Sequence, residues 1–215
     1  MTNATPQKGQ LIVLSGPSGV GKDTVAKFLA DARNDVTISV SRTARPPRPG
    51  EENGREYFFV SKEEFEAGIA RDEFLEYATY NQNYYGTPKT AVEDLLLAGQ
   101  HVIVVIEVAG AQKIRDLDLG ATLVFLMPPS WASLRRRLTG RGTESAEAIA
   151  SRLTIAREEV ALAQQYDYVI INDAVEDCAD KLYRIMQTAG YRAQNQYQFI
   201  EEVLQDAQTI HVSDY

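Results

Sequence analysis

A chain of 215 residues with 44% hydrophobic and 24% charged side chains has the length and composition of one folded globular unit. Its formal charge of −8 argues against general binding to nucleic acid. No run approaches the ~20 apolar residues that span a bilayer, and the N-terminal segment is polar, so we expect a cytoplasmic protein without a membrane segment. The single cysteine, Cys178, excludes an internal disulfide, and we expect it to be passive on a helix.

Short apolar runs rich in β-branched residues alternate with longer segments that favour helices. Strands are predicted at Leu11–Ser15, Val36–Val40, Val102–Glu107, Thr122–Met127 and Tyr168–Asn172. Helices are predicted at Asp23–Arg33, Pro88–Ala98 and Ala146–Gln165. Strands that are apolar on both faces and alternate with helices are typical of an α/β fold, in which helices cover a parallel sheet.

Two segments interrupt this alternation and predict insertions into a core made of residues 10–40, 96–127 and 154–190. The first insertion, residues 41–95, has a proline-rich loop and predicted short strands at Tyr57–Val60 and Phe74–Tyr80 around a helix at Lys62–Gly68. The second insertion, residues 128–153, is rich in arginine.

The C-terminal tail, residues 191–215, has a helical spacing of apolar residues. They fall at Tyr197, Ile200 and Leu204, and again at Phe199, Val203 and Ala207. This spacing predicts a broad apolar helix face. The face could contact a second copy of the chain, but packing on its own domain is the simpler expectation. A monomer and a homodimer both remain open.

The strongest motif lies between the first predicted strand and the first predicted helix, and reads Gly16-Pro17-Ser18-Gly19-Val20-Gly21-Lys22. The glycines let the backbone curl so that its N–H groups point at phosphate oxygens. The following helix adds its positive N-terminal end, and the lysine is placed to reach the β- and γ-phosphates. This loop therefore predicts binding of ATP or GTP.

One position departs from the usual pattern of such loops. A serine or threonine usually follows the lysine and offers its hydroxyl to Mg²⁺. This chain has Asp23 there, followed by Thr24. We expect phosphate binding to be unaffected, and Asp23 and Thr24 to be the candidate Mg²⁺ ligands. The alternative is that Asp23 points away and only favours the positive end of the helix.

Several further segments resemble the guanylate kinase family. They are Ser39–Glu51 with Gly54 and Tyr57, Phe74–Glu76, Asn83–Pro88, and residues 137–144. The resemblance covers residues 10 to 188 in the order that the family has. It implies one kinase domain with a P-loop core, a GMP-binding subdomain at 41–95 and an arginine-rich lid at 128–153. The implied activity is Mg²⁺-dependent phosphorylation of GMP, and of dGMP, by ATP.

The resemblance also implies roles for individual side chains in binding GMP. Two guanidinium groups and two phenols would hold its phosphate, and they are Arg45, Arg48, Tyr57 and Tyr85. The carboxylates of Glu76 and Glu107 would accept hydrogen bonds from the N–H groups of guanine. The hydroxyls of Ser41 and Thr87 would face its O6. Glu51 belongs to the same GMP-binding segment.

Two of these residues also have structural interpretations. Glu76 lies in a predicted strand, where it could simply be exposed. Thr87 precedes Pro88, a pair that is typical of the start of a helix.

The remaining implied roles concern ATP and the transferred group. Asn172 resembles the residue that contacts the adenine side. The transferring phosphoryl group would be met by cationic side chains, which are Lys22, Arg45, Arg137, Arg141 and Arg152. Phosphoryl transfer needs positioning and charge neutralisation rather than a covalent protein nucleophile.

Two other functions compete with this interpretation. A guanylate-kinase-like binding module would bind peptides without catalysis, but such modules typically lose the loop lysine or the lid arginines. A related kinase that phosphorylates a ribose bisphosphate commonly has an aspartate after the loop lysine, so Asp23 favours it. The set of predicted guanine and phosphate contacts favours a guanine nucleotide.

Overall fold

A sheet of parallel strands forms the centre of the molecule. The structure is a computed structural model that describes residues 8–80, 82–117, 119–140 and 146–209. The central sheet has the strand order β2-β7-β1-β8-β9, and all its neighbouring strands are parallel. These strands are, in the same order, Val36–Ile38, His101–Val105, Leu11–Ser15, Thr122–Met127 and Tyr168–Ile171. The predicted α/β fold is confirmed.

Helices cover both faces of this sheet because its central strand is apolar on both sides. Ile12 and Leu14 of β1 face the core shared with α1 (Lys22–Ala32) and α7 (Val175–Ala189). Leu11 and Val13 face the opposite core, which is shared with helices α3 (Lys89–Leu97) and α4 (Val108–Asp116). Alternate side chains of a strand point to opposite faces, so each face requires its own helical layer.

Cys178 lies buried in α7, and burial raises the pKa of its thiol to about 11. A thiol with this pKa is protonated near neutral pH and is a poor nucleophile. Cys178 lies on a helix, as the sequence predicts, and its surroundings are those of a core residue.

A smaller sheet has the strand order β4-β3-β6-β5 and lies within the first predicted insertion. Its strands are, in that order, Phe58–Phe59, Arg42–Thr43, Asn83–Pro88 and Phe74–Tyr80. Helix α2 (Lys62–Ala70) packs on it through Phe65, whose ring stacks 4.5 Å from that of Phe74 and 5.2 Å from that of Tyr84. This aromatic stack gives the smaller sheet an apolar cluster of its own.

Strand β6 overturns one interpretation of Thr87. The threonine lies inside β6 and pairs with Glu76 of β5, while α3 begins at Lys89 with Pro88 at its N-cap. The interpretation of Thr87 as the helix N-cap is therefore wrong. Strand pairing across the smaller sheet outweighs the local threonine–proline signal.

Strand β7 is shorter at its carboxyl end than predicted. It stops at Val105, and Glu107 occupies the N-cap position of α4, a helix that the sequence analysis does not predict. Glu107 still lies at the carboxyl edge of the parallel sheet, where α/β proteins bind ligands.

The second predicted insertion contains α5 (Trp131–Thr139) and the start of α6 (Ala146–Ala161). Leu134 and Leu138 of α5 pack against Ala156 of α6. A short 3₁₀ helix, Leu162–Gln165, continues α6 as predicted. Arg141 lies outside the described residues. The division into core, subdomain and lid stays a prediction.

The tail forms a 3₁₀ turn, Ala193–Gln196, and helix α8 (Tyr197–Thr209). The apolar side chains of α8 are open to solvent, with Phe199 63% and Leu204 51% exposed. The expectation that this face packs on its own domain is wrong for the described part of the tail, because the principal contacts of α8 are with the turn before it. Within the described residues, no helix has the length and apolar character to cross a bilayer.

Candidate active site

The loop between β1 and α1 has the backbone conformation of a phosphate-binding loop. Gly16 and Gly21 have φ angles of 144° and 102°, in the region that glycine adopts readily. A Cβ at Gly16 would lie 2.3 Å from the carbonyl oxygen of Leu126, and one at Gly21 would lie 2.7 Å from Nδ2 of Asn172. The loop passes too close to its neighbours for a side chain at either position.

The lysine of this loop is buried and folds back over the loop. Its Nζ donates to the carbonyl oxygen of Gly16 at 2.7 Å and lies 3.9 Å from Oε2 of Glu107. Lys22 thus stands between the loop and the carboxyl end of β7. The ammonium group is placed where a phosphate held by the loop would meet it.

Two predicted site residues hold the loop from behind. Arg137 donates to the carbonyl oxygens of Val20 at 2.8 Å and of Asn172 at 2.9 Å. Asn172 is 3% exposed, and its Nδ2 also donates to the carbonyl of Val20, at 2.7 Å. Both side chains therefore support the loop in this structure. Their contacts with the transferring group and with adenine stay predictions.

Helix α6 reaches the tip of the loop. Arg152 donates from Nη2 to Oγ of Ser18 at 2.7 Å. Glu159 lies two turns further along α6, and it lines one cavity together with Ser18 and Arg152. Burial and the charge of Glu107 raise the pKa of Glu159, against the opposing effects of Lys22 and of the Ser18 backbone N–H. Sequence analysis missed Glu159, although its spacing from Arg152 places both on one helix face.

A cleft of about 300 Å³ lies between the loop and the smaller sheet. It brings together residues that are far apart in sequence. Those predicted as site residues that line it are Lys22, Asp23, Ser41, Arg45, Arg48, Glu51, Tyr57, Glu76, Tyr85 and Glu107. Most of the predicted acceptor-binding residues thus share one cavity, and Thr87 stands directly behind it, bonded to Glu76.

Glu51 orients Arg45 in the wall of this cleft. The Nη1 and Nη2 atoms of Arg45 donate to its two carboxylate oxygens at 2.9 and 2.8 Å. The hydrogen bond to Glu51 raises the pKa of Arg45, and the same bond lowers the pKa of Glu51. Glu51 also accepts from the backbone N–H of Arg48 at 2.7 Å. It therefore positions both arginines, and its direct contact with GMP stays a prediction.

Two tyrosines stand beside Arg45. The rings of Tyr57 and Tyr85 meet edge to face at 5.8 Å, and the guanidinium of Arg45 lies 5.5 Å from the centre of the Tyr57 ring. Burial and the nearby charge of Asp23 raise the pKa of Tyr57. The phenol thus remains a hydrogen-bond donor at neutral pH.

Two further carboxylates, those of Glu76 and Glu107, line the cleft. Glu76 is 7% exposed, so its interpretation as an exposed strand residue is wrong, and burial raises its pKa. Thr87 donates from Oγ1 to Oε1 of Glu76 at 2.8 Å. A hydroxyl has one proton, so Thr87 cannot donate to a second acceptor at the same time. The side chain of Glu107 is 57% exposed and makes no capping bond to α4.

Asp23 faces the cleft rather than pointing away from it. It lines the cavity in the first turn of α1, and its charge acts on Tyr57 across the space. Among the described residues there is no group of three or more histidine, cysteine or acidic side chains that could hold a metal. Mg²⁺ is usually held by phosphates, water and one or two carboxylates, so Asp23 with the exposed Thr24 fits this ion.

Comparisons with known proteins show the family of this chain. The family model described as guanylate kinase matches residues 8–189. The guanylate kinase of Lactococcus lactis subsp. lactis is 47% identical over 186 residues, which cover 86% of this chain and 91% of that protein. The guanylate kinase of Streptomyces kasugaensis is 49% identical over 177 residues, covering 82% and 86%.

A solved structure shares the fold along nearly the whole chain. The guanylate kinase from Anaplasma phagocytophilum is 32% identical, with a TM-score of 0.76, over 95% of this chain and 98% of that one. Sequence and fold thus agree across the same residues that form the loop and the cleft. The chain belongs to the guanylate kinase family.

Proposed function

We propose that this protein transfers the γ-phosphoryl group of ATP to GMP, giving ADP and GDP. The observation that supports the proposal is a cleft lined both by Lys22 of the phosphate-binding loop and by two carboxylates, Glu76 and Glu107. Membership of the guanylate kinase family supports the same reaction.

The acceptor would lie along the cleft with its phosphate at the end formed by Arg45. Arg45, Arg48, Tyr57 and Tyr85 offer cationic and phenolic donors to a dianionic phosphate. Guanine would lie at the opposite end, where Glu76 and Glu107 accept from its N–H groups. Thr87 already donates its hydroxyl proton to Glu76. We therefore propose that Ser41, which lines the cleft, donates the hydrogen bond to O6 of guanine.

The transfer requires no covalent protein nucleophile. A phosphate oxygen of GMP attacks, and it is largely ionised at neutral pH because the second pKa of a phosphomonoester is about 6. Lys22 and the arginines of the second insertion, Arg137, Arg141 and Arg152, would neutralise charge that develops on the transferring group. When bound, Mg²⁺ would neutralise the phosphate oxygens of ATP, and Asp23 with Thr24 would hold it.

A coupled assay of ADP release tests this function. We expect GMP to be preferred over AMP by ~10⁴-fold or more, because an analogue without the N–H donors of guanine leaves the acceptors of the closed site unpaired. CMP and UMP should be equally poor acceptors, whereas dGMP should be used. The Lys22→Met variant is the control for a contaminating kinase and should lose the activity.

The same assay separates two other functions. Asp23 favours a kinase of ribose phosphates, so these are included as acceptors. Activity with a ribose phosphate alone, or comparable turnover of AMP, would contradict the guanine assignment. A binding module would release no ADP with any acceptor.

A further inference from the structure

Helix α4 passes directly beside the carboxylate of Glu76. A Cβ at Gly110 of this helix would lie 2.9 Å from Oε2 and 3.4 Å from Cδ of Glu76. Gly110 has no positive φ, so its backbone conformation does not require glycine. Glycine is unfavourable inside a helix compared with alanine. The space that Gly110 leaves is therefore the property that matters at this position.

The opposite side of the same carboxylate is held by a hydrogen bond. Thr87 donates to Oε1 at 2.8 Å, while Oε2 faces Gly110. Glu76 is 7% exposed and lines the cleft. Any group that pushed on Oε2 would have to break the bond to Thr87 or drive the carboxylate into the cleft.

Lys113 joins helix α4 to strand β5 by a hydrogen bond. It follows Gly110 by three residues, which places both on one face of α4. Its Nζ donates to the carbonyl oxygen of Tyr77 at 2.6 Å and lies 5.1 Å from the centre of the Tyr77 ring. Tyr77 is the neighbour of Glu76, so this contact holds α4 against the strand at the level of the carboxylate.

The same helix also carries the second carboxylate. Glu107 is the N-cap of α4, three residues before Gly110, whose N–H donates to the carbonyl oxygen of Glu107 at 3.0 Å. The approach of α4 to β5 therefore sets the separation of Glu76 and Glu107. A base that donates to both carboxylates requires one particular separation.

We propose that Gly110 is a specificity-determining positioning residue, which lets the carboxylate of Glu76 stand where it accepts from guanine, and that Lys113 holds α4 at the required distance. This inference rests on the proposed function. Gly110 itself lines the cleft, and its proposed effect on the acceptor runs through Glu76. Its effect belongs to the recognition of the acceptor and leaves the binding of ATP unchanged.

The test is Gly110→Ala in two backgrounds. In the otherwise wild-type enzyme, the KM for GMP should rise by about tenfold or more, the loss expected for one hydrogen bond to a charged group. The KM for ATP should stay unchanged. The advantage of GMP over IMP, which lacks the 2-amino group, should narrow.

In the Glu76→Ala background, Gly110→Ala should raise the KM for GMP no further. The carboxylate that the new methyl group displaces is then absent, so the two substitutions should be strongly non-additive. A merely structural role would instead give the same fold-change in both backgrounds, and that result would overturn the proposal.

Gly68→Ala provides a matched control. A Cβ there would lie 2.9 Å from the Phe74 ring and 3.2 Å from Oε2 of Glu73, an equally close approach in which no atom of Glu76 is among the nearest neighbours. It should lower the unfolding temperature without changing the ratio of GMP to IMP use.

A second variant decides the matter if Gly110→Ala does not fold. Lys113 is exposed, so Lys113→Met should fold, raise the KM for GMP and narrow the same ratio. Wild-type values of both quantities for Lys113→Met would overturn the proposal. So would a wild-type KM for GMP in a folded Gly110→Ala protein. Absence of GMP phosphorylation by the wild-type enzyme would contradict the proposed function instead.

Discussion

At the scale of single residues, Asp23 is where this chain differs most from the usual phosphate-binding loop. Its carboxylate follows Lys22 and shares the cleft with Tyr57 and Glu107. A carboxylate beside a triphosphate is repulsive unless a cation lies between them. We therefore expect Asp23 to face Mg²⁺, either directly or through a water molecule, with the Thr24 hydroxyl nearby.

Asp23→Asn tests this expectation, because it keeps the shape of the side chain and removes its charge. The Mg²⁺ concentration required for half-maximal activity should rise by about tenfold or more, and kcat should fall. The Mg²⁺ dependence of binding a non-hydrolysable ATP analogue, measured by calorimetry, should shift in parallel. Asp31→Asn, on the same helix but paired with Lys27, is the control. A magnesium titration identical to that of the wild type would contradict the metal role.

At the scale of elements, helix α5 supports the phosphate-binding loop. Arg137 joins α5 to the carbonyl of Val20 in the loop and to that of Asn172 after β9. Closure that carried Arg137 onto the transferring phosphoryl group would exchange these two bonds for bonds to phosphate. The same side chain would then contribute to stability in one state and to catalysis in the other.

Arg137→Ala should therefore reduce both the stability of the fold and kcat. The free energy of unfolding should fall by about 1.5–3 kcal/mol, as for other hydrogen bonds of charged groups. The kcat should fall by about tenfold or more, with smaller changes in either KM, because a cation that meets developing charge acts mainly in the transition state. Denaturant unfolding and steady-state kinetics with both substrates varied measure these effects.

Arg136→Ala is the matched control for this element, since Arg136 is the exposed neighbour on the same helix. Arg136→Ala should change neither the free energy of unfolding nor kcat. An Arg137→Ala protein with normal kcat and lowered stability would limit Arg137 to supporting the loop.

At the scale of the whole molecule, the phosphate-binding loop and most of the predicted acceptor-binding residues belong to different sheets, although Glu107 follows β7 of the parallel sheet. The loop and Lys22 follow β1 of the parallel sheet, whereas Arg45, Glu76 and Tyr85 belong to the smaller sheet or its loops. The cleft between them is open to water, as the exposed side chain of Glu107 shows. Phosphoryl transfer without ATP hydrolysis requires water to be excluded, so we expect the two parts to close on the substrates.

Small-angle scattering measures this closure. The radius of gyration should fall toward the ~17 Å of a compact chain of this length when a non-hydrolysable ATP analogue and GMP are both present. Each ligand alone should produce a smaller change, and AMP in place of GMP should not complete it. An unchanged radius with both ligands bound would show that the cleft does not close.

Local sequence signals were sufficient for several elements and for the donor side of the site. The bounds of β1, β5 and β8 agree with their predictions, because each strand has a continuous run of suitable residues between turn signals. The loop ending at Lys22 was predictable because its function depends on a short consecutive segment. Family resemblance, rather than periodicity, identified the acceptor residues such as Glu76 and Arg45.

The sequence by itself determined the α/β fold, the phosphate-binding loop and the types of side chain that meet the acceptor. Only the tertiary structure decided their partners. Thr87 donates to Glu76 instead of capping a helix, and Glu107 is the N-cap of helix α4, which the sequence analysis does not predict. Arg137 holds Val20 across 117 residues of chain, and α8 leaves its apolar face exposed. Such contacts form between segments that are distant in the sequence. Their free energy depends on the tertiary packing and cannot be read from any short stretch of sequence.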